Sequence, residues 1–183
     1  MADALVDLIR QTWDSASYLD RPVPVECMLG LFETVRWVPS AANVQPWEFF
    51  LVQDPGRRRA AAGCLLDGFL RPFAPDGLLE RAPIVLAVAV DRKRAAARHG
   101  ELGLRLLAIQ DTTAAIVCLR LAAAQQGIGS AWMREVDLER LAEALALPRG
   151  LQPVALLSFG YPARPPSSVA GMPVADSVHL LGA

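Results

Sequence analysis

Residues 38–52 read VPSAANVQPWEFFLV, in which a run of small and amide side chains leads directly into an apolar, aromatic segment. The polar side chains in this run are Ser40, Asn43 and Gln45. Pro39 ends the helix predicted before the run, because the residue before a proline disfavours helical backbone. Residues 47–52 have apolar side chains on both faces of a predicted strand. The stretch therefore predicts a helix, an amide-bearing loop and a buried strand, in that order.

Helical and strand patterns alternate along the rest of the chain. Apolar residues at helical spacing, caps and breakers predict helices over residues 3–13, 25–38, 57–66, 101–126 and 137–147. Short apolar runs predict further strands over residues 83–90, 130–133 and 154–159. Residues 67–81 are expected to form a mobile surface loop, and Gly127 is expected to cap the long helix. This mixture favours a sheet flanked by helices.

The composition limits the class of protein. With 183 residues, 53% of them hydrophobic, we expect a single domain over 1–183, with residues 160–183 as an extended, proline-rich C-terminal tail. A net charge of −1 gives no sequence-wide reason to bind nucleic acid or an anionic membrane. Acids interrupt the N-terminal apolar residues, unlike a secretory signal, so a cytoplasmic location is expected. The apolar run at 82–90 is shorter than the roughly 20 residues of a membrane-spanning helix.

Few side chains in the sequence suit acid–base or metal chemistry. Only two histidines, His99 and His179, are present, and no GxGxxG or GxxxxGK motif follows a strand. The three cysteines are widely spaced among apolar neighbours, which predicts buried free thiols and no metal site. We therefore expect no catalytic side chain and a bound organic cofactor that carries the chemistry.

The amide loop has two interpretations. Each amide offers a hydrogen-bond donor and an acceptor from one head group, which suits the pyrimidine edge of a flavin. Proline, serine and asparagine are also ordinary turn residues, and the segment after them is an ordinary core strand.

Several segments in the same order favour the first interpretation. PSAANVQPWEFFLV resembles the PSxxNxQPWxF signature of the nitroreductase-like flavoproteins. YLDRPVP at 18–24, the long segment 100–132 ending in GIGSAW, and LPRGLQPVALLSFGYPARPP at 147–166 are similar to other parts of that family. The resemblance implies an α+β fold with a central, mainly antiparallel sheet flanked by helices. It also implies an intertwined homodimer with FMN at the subunit interface.

The resemblance assigns candidate FMN contacts by position. In the loop these are Pro39, Ser40 and Asn43, with Gln45 adjacent. Backbone groups of Ile128, Gly129 and Ser130 are expected near the flavin N5 and O4 atoms, where a glycine allows close approach. Arg164 occupies a position where the family often places a phosphate-binding base. Trp13, Trp37 and Phe73 are candidates for the cavity wall, although a core position is expected for the two tryptophans.

The N-terminal segment departs from the family pattern. Members usually carry an RRSxR-like segment that holds the FMN phosphate, whereas an ungapped count back from Tyr18 places Thr12, Trp13, Asp14 and Ala16 there. A register with a two-residue insertion instead assigns Arg10 and Thr12 to the phosphate and leaves Asp14 opposite the last arginine. An aspartate would repel a phosphate dianion, so phosphate binding is expected to be weakened in either register.

The resemblance implies an FMN-dependent oxidoreductase that transfers hydride from NADH or NADPH through the flavin to a nitroaromatic, quinone or similar small acceptor. An alternative is a degenerate member, either flavin-free or flavin-storing, that binds a ligand or partner. A third possibility is a member that keeps the flavin for oxidation or cofactor tailoring.

Overall fold

A four-stranded antiparallel sheet forms the centre of the fold. The computed structural model describes residues 2–66, 77–168 and 170–181. The strands are β1 (Trp47–Leu51), β2 (Ile84–Asp91), β3 (Gly129–Met133) and β4 (Leu151–Gly160). Their order across the sheet is β1-β2-β4-β3, and each neighbouring pair is antiparallel. The predicted antiparallel sheet is present, with β2 and β4 at its centre.

Helices cover both faces of this sheet. In chain order they are α1 (Ala2–Gln11), α2 (Val25–Val35), α3 (Pro55–Ala62), α4 (Leu78–Arg81), α5 (Arg92–Leu102), α6 (Ala108–Gln125), α7 (Leu138–Ala144) and α8 (Val174–Ser177). Asp54, Asp91 and Asp137 cap α3, α5 and α7 respectively, each carboxylate accepting a backbone N–H of the first turn. The helix predicted from residue 137 thus begins with Asp137 as its cap.

Alternate residues of β2 enter the two halves of the core. Leu86 and Val88 pack in the cluster that contains Met28 of α2 and Leu119 of α6. Val85 and Ala87 pack in the opposite cluster, which contains residues of α3, α4 and α7. Burial of a leucine such as Leu86 contributes about 1.5–3 kcal/mol, so the uniformly apolar β2 sequence fixes the strand between two helical layers.

The long helix predicted over 101–126 is one part of a longer helical run. Gly100 breaks the regular backbone with φ 52° and ψ −132°, and a π-helical turn over Gly103–Leu107 precedes α6. At Gly103 a Cβ atom would lie 2.1 Å from the carbonyl oxygen of Ala95, so only glycine fits this approach. By length and hydropathy alone, the run Arg92–Gln125 could cross a membrane. Its buried face on α6 packs against α2 and the sheet, as in a core helix.

Several predicted boundaries are wrong. The helix expected over 57–66 begins at Pro55 and ends at Ala62, and Leu65 pairs instead with Val136. Leu78–Arg81 is a helix with two buried leucines, whereas this part was expected to belong to a loop; residues 67–76 of that loop, with Phe73, lie outside the described part of the chain. The helix after Asp137 ends at Ala144, before Ala146 turns to φ 52°.

Two expectations about burial are also corrected. Trp13 is 41% exposed and Trp37 is 88% exposed, so neither is a core residue. All three cysteines are free thiols, as predicted, but only Cys64 is fully buried, while Cys27 and Cys118 are half-buried. In α1 the apolar side chains Leu5, Val6 and Ile9 are also exposed.

Candidate functional site

The amide loop at residues 40–45 has an unusual backbone. Ala42, Asn43 and Gln45 have φ angles of 51°, 54° and 47°. Left-handed backbone costs an L-amino acid with a side chain about 1–2 kcal/mol, so three such residues persist only where other contacts hold them. The loop is therefore a specifically stabilised conformation and not a generic turn.

Hydrogen bonds fix the loop at both ends. The backbone N–H of Ala41 donates to Asp111 Oδ2 on α6 at 3.0 Å. The backbone N–H of Gln45 donates to Ser40 Oγ at 2.9 Å, which closes the loop on itself. Arg94 of α5 donates through Nη1 to the carbonyl oxygen of Gln45 at 2.7 Å. Ser40 thus shapes the loop from within, and two helices hold it from outside.

Arg94 is itself held by acids. It forms an ion pair with Glu48 of β1 and lies 3.4 Å from Asp91 Oδ2, at the end of β2. The sequence reasoning missed both Arg94 and Asp111. They lie 49 and 70 residues from their partners in the loop, and no local pattern marks them as its supports.

The two amide side chains lie side by side. Gln45 Nε2 donates to the carbonyl oxygen of Arg36 at 3.2 Å and to Asn43 Oδ1 at 3.3 Å. Among the described residues, no partner contacts Asn43 Nδ2 or Gln45 Oε1. A donor and an acceptor are thus available next to each other on the loop, and Asn43, the only asparagine of the chain, is exposed. This pair suits the edge of a pyrimidine-like ring.

The second predicted place is the glycine corner, residues 127–130. Gly127 has φ 72°, and the N–H groups of Gly127 and Ile128 donate to Ala124 and Ala123 in the Schellman pattern that ends α6. At Gly129 a Cβ atom would lie 2.4 Å from Ser15 Oγ and 2.7 Å from Pro162 Cγ. The predicted helix cap is confirmed, and Gly129 is required by packing within the chain.

An N-terminal segment covers the free edge of β3 beside this corner. The backbone N–H of Ser15 donates to the carbonyl oxygen of Ser130 at 2.8 Å. The Asp14 carboxylate accepts the backbone N–H of Trp132 at 3.0 Å and lies 2.6 Å from Arg120 Nη2. The Asp14 carboxylate therefore accepts a strand N–H that a backbone carbonyl would otherwise accept, and it also forms an ion pair with Arg120.

Arg120 is a buried cation at the glycine corner. Its side chain is 8% exposed; Nε donates to Ser130 Oγ at 2.8 Å, and Nη2 donates to the carbonyl oxygen of Thr12 and to Asp14. Burial lowers the pKa of the Arg120 guanidinium, and the Asp14 charge opposes this shift. Nothing in the local sequence marks Arg120, since it occupies a helical position among apolar residues.

The predicted phosphate contacts make other interactions. Arg10 is exposed on α1 and pairs with Asp7 at 3.1 Å. The Thr12 hydroxyl donates to the carbonyl oxygen of Ile9 at 2.7 Å. Arg164 is exposed in the tail, just after the N–H of Ala163 donates to the carbonyl oxygen of Ser17 at 3.1 Å. Of these candidates, Arg164 is the one for which the described residues supply no polar partner.

Within one chain, the amide loop and the glycine corner lie at opposite ends of helix α6 and of the sheet. The loop is anchored at Asp111 near the start of α6, and the corner begins at Gly127 after it, which at about 1.5 Å per residue is about 24 Å. The strand pairings give a similar separation. Trp47 pairs with Val90 at the Gln152 end of β4, whereas Gly129 pairs with Gly160, about 26 Å along that strand. A single chain does not bring the two places together.

The sequence profile of the Nitroreductase family matches residues 9–161, which include both the loop and the corner. The chain belongs to the Nitroreductase family. It is a family of FMN-dependent oxidoreductases, so the predicted family and enzyme class are confirmed.

Individual members agree with this assignment. The chain is 29% identical over 149 residues, covering 79% of it, to a "Putative NADH dehydrogenase/NAD(P)H nitroreductase" of Archaeoglobus fulgidus, of which 78% is covered. It is 30% identical, over 87% of its length, to the 5,6-dimethylbenzimidazole synthase of Rhodospirillum rubrum, of which 82% is covered. A putative nitroreductase of Desulfovibrio desulfuricans, solved in complex with FMN, superposes with a TM-score of 0.78 at 27% identity, covering 98% of this chain and 96% of the other. The predicted fold class is thereby confirmed.

Proposed function

We propose that this chain is an FMN-dependent oxidoreductase that takes reducing equivalents from NADH or NADPH and passes them to a nitroaromatic, quinone or similar small acceptor. The observation that carries the proposal is the stabilised amide loop, which presents Asn43 Nδ2 and Gln45 Oε1 together. The Archaeoglobus relative named as an NAD(P)H nitroreductase supports the choice of donor and acceptor. The FMN-bound Desulfovibrio relative supports the choice of flavin.

The chain's residues would have binding and orienting roles. The Asn43 and Gln45 amides would bind the pyrimidine edge of the flavin, while Pro39 and Ser40 hold the loop in shape. Backbone groups of the glycine corner would lie against the reactive edge of the ring. When bound, FMN supplies the hydride-accepting and electron-storing chemistry, and this explains why the site needs no catalytic histidine.

A second copy of the chain would complete the site. Because the loop and the corner are about 24 Å apart within one chain, one ring can meet both only if each copy supplies one of them. An exposed apolar stripe on the α5–α6 run offers a surface for this contact, at Leu102, Leu106, Ile109 and Val117. The tail at 160–183 of the single domain, which exposes Met172 and Leu180, would pack on the partner. We propose an intertwined cytoplasmic homodimer with two flavin sites.

The absorption spectrum of the purified protein tests the function. We expect a yellow protein whose flavin band is bleached by NADH or NADPH under nitrogen and returns when a quinone or nitroaromatic is added. Light scattering after gel filtration should give twice the mass of one chain. A colourless protein that does not take up added FMN would contradict the proposal.

One observation favours the alternative of a degenerate, ligand-binding or flavin-storing member. The N-terminal segment supplies an acid, Asp14, and the base beside it, Arg120, is already paired with that acid. Under this alternative, FMN uptake would be absent, or the bound flavin would not be reduced by either nicotinamide. The 5,6-dimethylbenzimidazole synthase relative favours the third possibility, flavin-based tailoring chemistry.

A further inference from the structure

The charges around the glycine corner do not suit a phosphate dianion. Asp14 lies beside Ser130 and Trp132, with its side chain 41% exposed. Any anionic group of a ligand seated at the corner would approach this carboxylate. Like charges repel, so the corner disfavours a doubly charged group unless a free cation lies within reach.

Arg120, the cation in contact with the corner, is not free. Its Nη2 donates to Asp14 and to the carbonyl oxygen of Thr12, and its Nε donates to Ser130 Oγ. Turning the guanidinium toward a ligand would break these bonds and leave Asp14 without its counter-ion. Breaking a buried ion pair is strongly unfavourable, so Arg120 stabilises the fold and is not available to bind a ligand.

The other arginines near the corner are engaged or exposed. Arg134 stacks 3.9 Å from the ring centre of Trp132, and Arg21 stacks 3.8 Å from that of Tyr161. Arg164 follows Pro162, which contacts the Gly129 position, and among the described arginines around the corner it is the remaining candidate for a phosphate contact. A single exposed arginine on a tail contributes little net binding, because solvent screens its charge and the side chain loses freedom.

We infer that this chain recognises a flavin through its ring and not through its phosphate, so that riboflavin binds about as tightly as FMN. The inference rests on the proposed flavin function and adds the chemical form of the ligand. The features that set this selectivity are the Asp14–Arg120 ion pair and the amide loop. In the ion pair, Asp14 repels the phosphate and Arg120 is not free to bind it. The amide loop binds a ring edge that both ligands share.

Equilibrium titration of flavin-free, full-length protein with FMN and with riboflavin tests this, using quenching of flavin fluorescence at about 50 and 500 mM salt. We expect dissociation constants within about tenfold of each other. Both should change little with salt, because salt screening weakens binding only where charges of the ligand pair with charges of the protein. FMN binding more than about tenfold tighter than riboflavin would overturn the inference. If neither flavin binds, the proposed function itself fails, which is a distinguishable result.

Asp14→Asn tests the role assigned to the ion pair. The asparagine keeps an oxygen for the N–H of Trp132 but removes the negative charge and frees the Arg120 charge. We expect the preference for FMN over riboflavin to increase several-fold with little change in riboflavin affinity, and the thermal transition to fall, because the buried Arg120 charge loses its counter-ion. The matched control is Asp20→Asn, which removes an exposed acid in the same segment and should leave the ratio unchanged. An unaltered ratio in Asp14→Asn would contradict the assignment.

Discussion

Asp111 on helix α6 accepts a 3.0 Å hydrogen bond from the backbone N–H of Ala41, a residue 70 positions earlier in the chain. This bond joins the amide loop to the core helix at the point where the backbone enters its left-handed conformations. It shows how a helix that contributes no predicted ligand contact can still decide the shape of a binding loop.

Replacing Asp111 by alanine should loosen the loop. The Ala41 N–H would lose its charged acceptor, which we expect to cost about 1–2 kcal/mol of unfolding free energy. It should also weaken flavin binding by an order of magnitude or so. Urea unfolding and a flavin titration would measure the two effects. Asp111→Asn retains an acceptor oxygen and is the matched control; equal losses in both variants would contradict a role for this bond.

Replacing Asn43 by leucine should lower flavin occupancy. The pyrimidine edge would lose a donor, a loss on the order of 1–3 kcal/mol. The flavin-to-protein absorbance ratio after purification, together with a titration, gives the measurement. Gln53→Leu removes an exposed amide after β1 and should leave occupancy as in the native protein. Unchanged occupancy in Asn43→Leu would remove the loop from the site.

Replacing Gly129 by alanine should destabilise the chain. The new Cβ atom would lie 2.7 Å from Pro162 Cγ, within a rigid ring, so either the strand or the tail must move. We expect a loss of about 1–3 kcal/mol in urea unfolding at fixed protein concentration. Gly30→Ala in α2 is the control, since no atom lies within 4 Å of its Cβ position and alanine favours helix. Similar values for the two variants would contradict the packing argument.

The stability of the chain should depend on pH through Tyr18. Burial raises the pKa of its phenol, the Asp14 charge raises it further, and the hydrogen bond with Ser158 opposes the shift. The folded state therefore favours the protonated phenol. This contribution is complete below the ordinary tyrosine value of about 10 and is lost as the pH rises above it toward the raised folded value.

Tyr18→Phe removes this titration. It should cost about 1 kcal/mol at pH 8, because the hydrogen bond to Ser158 is lost. The gap between the native protein and the variant should narrow above pH 10, since only the native protein then loses stability through this group. Urea unfolding at intervals from pH 8 to 11 measures the gap. A constant gap over that range would show that the phenol titrates at the same pH in both states.

Elements with a strong local pattern were predictable, and those that depend on contacts were not. The uninterrupted apolar run of β2 indicates a strand covered on both faces, and Gly127 marks the end of α6. The short helix α4 has no such pattern, because its four residues are helical through burial of two leucines. The part of helix α5 before residue 101 was also missed, since its charged residues and alanines show no apolar periodicity.

By itself, the sequence determined the family, the order of the four strands, and the residues of the amide loop and the glycine corner. These follow from local periodicity and from a motif within a few residues. Only the tertiary structure decided that Arg94 and Asp111 hold the loop, that Arg120 pairs with the partly exposed Asp14, and that the loop and the corner lie at opposite ends of the sheet. Those facts depend on side chains that meet across 49, 70 and 106 positions. Contacts at such separations are set by how the helices pack on the sheet, and a local sequence pattern does not predict them.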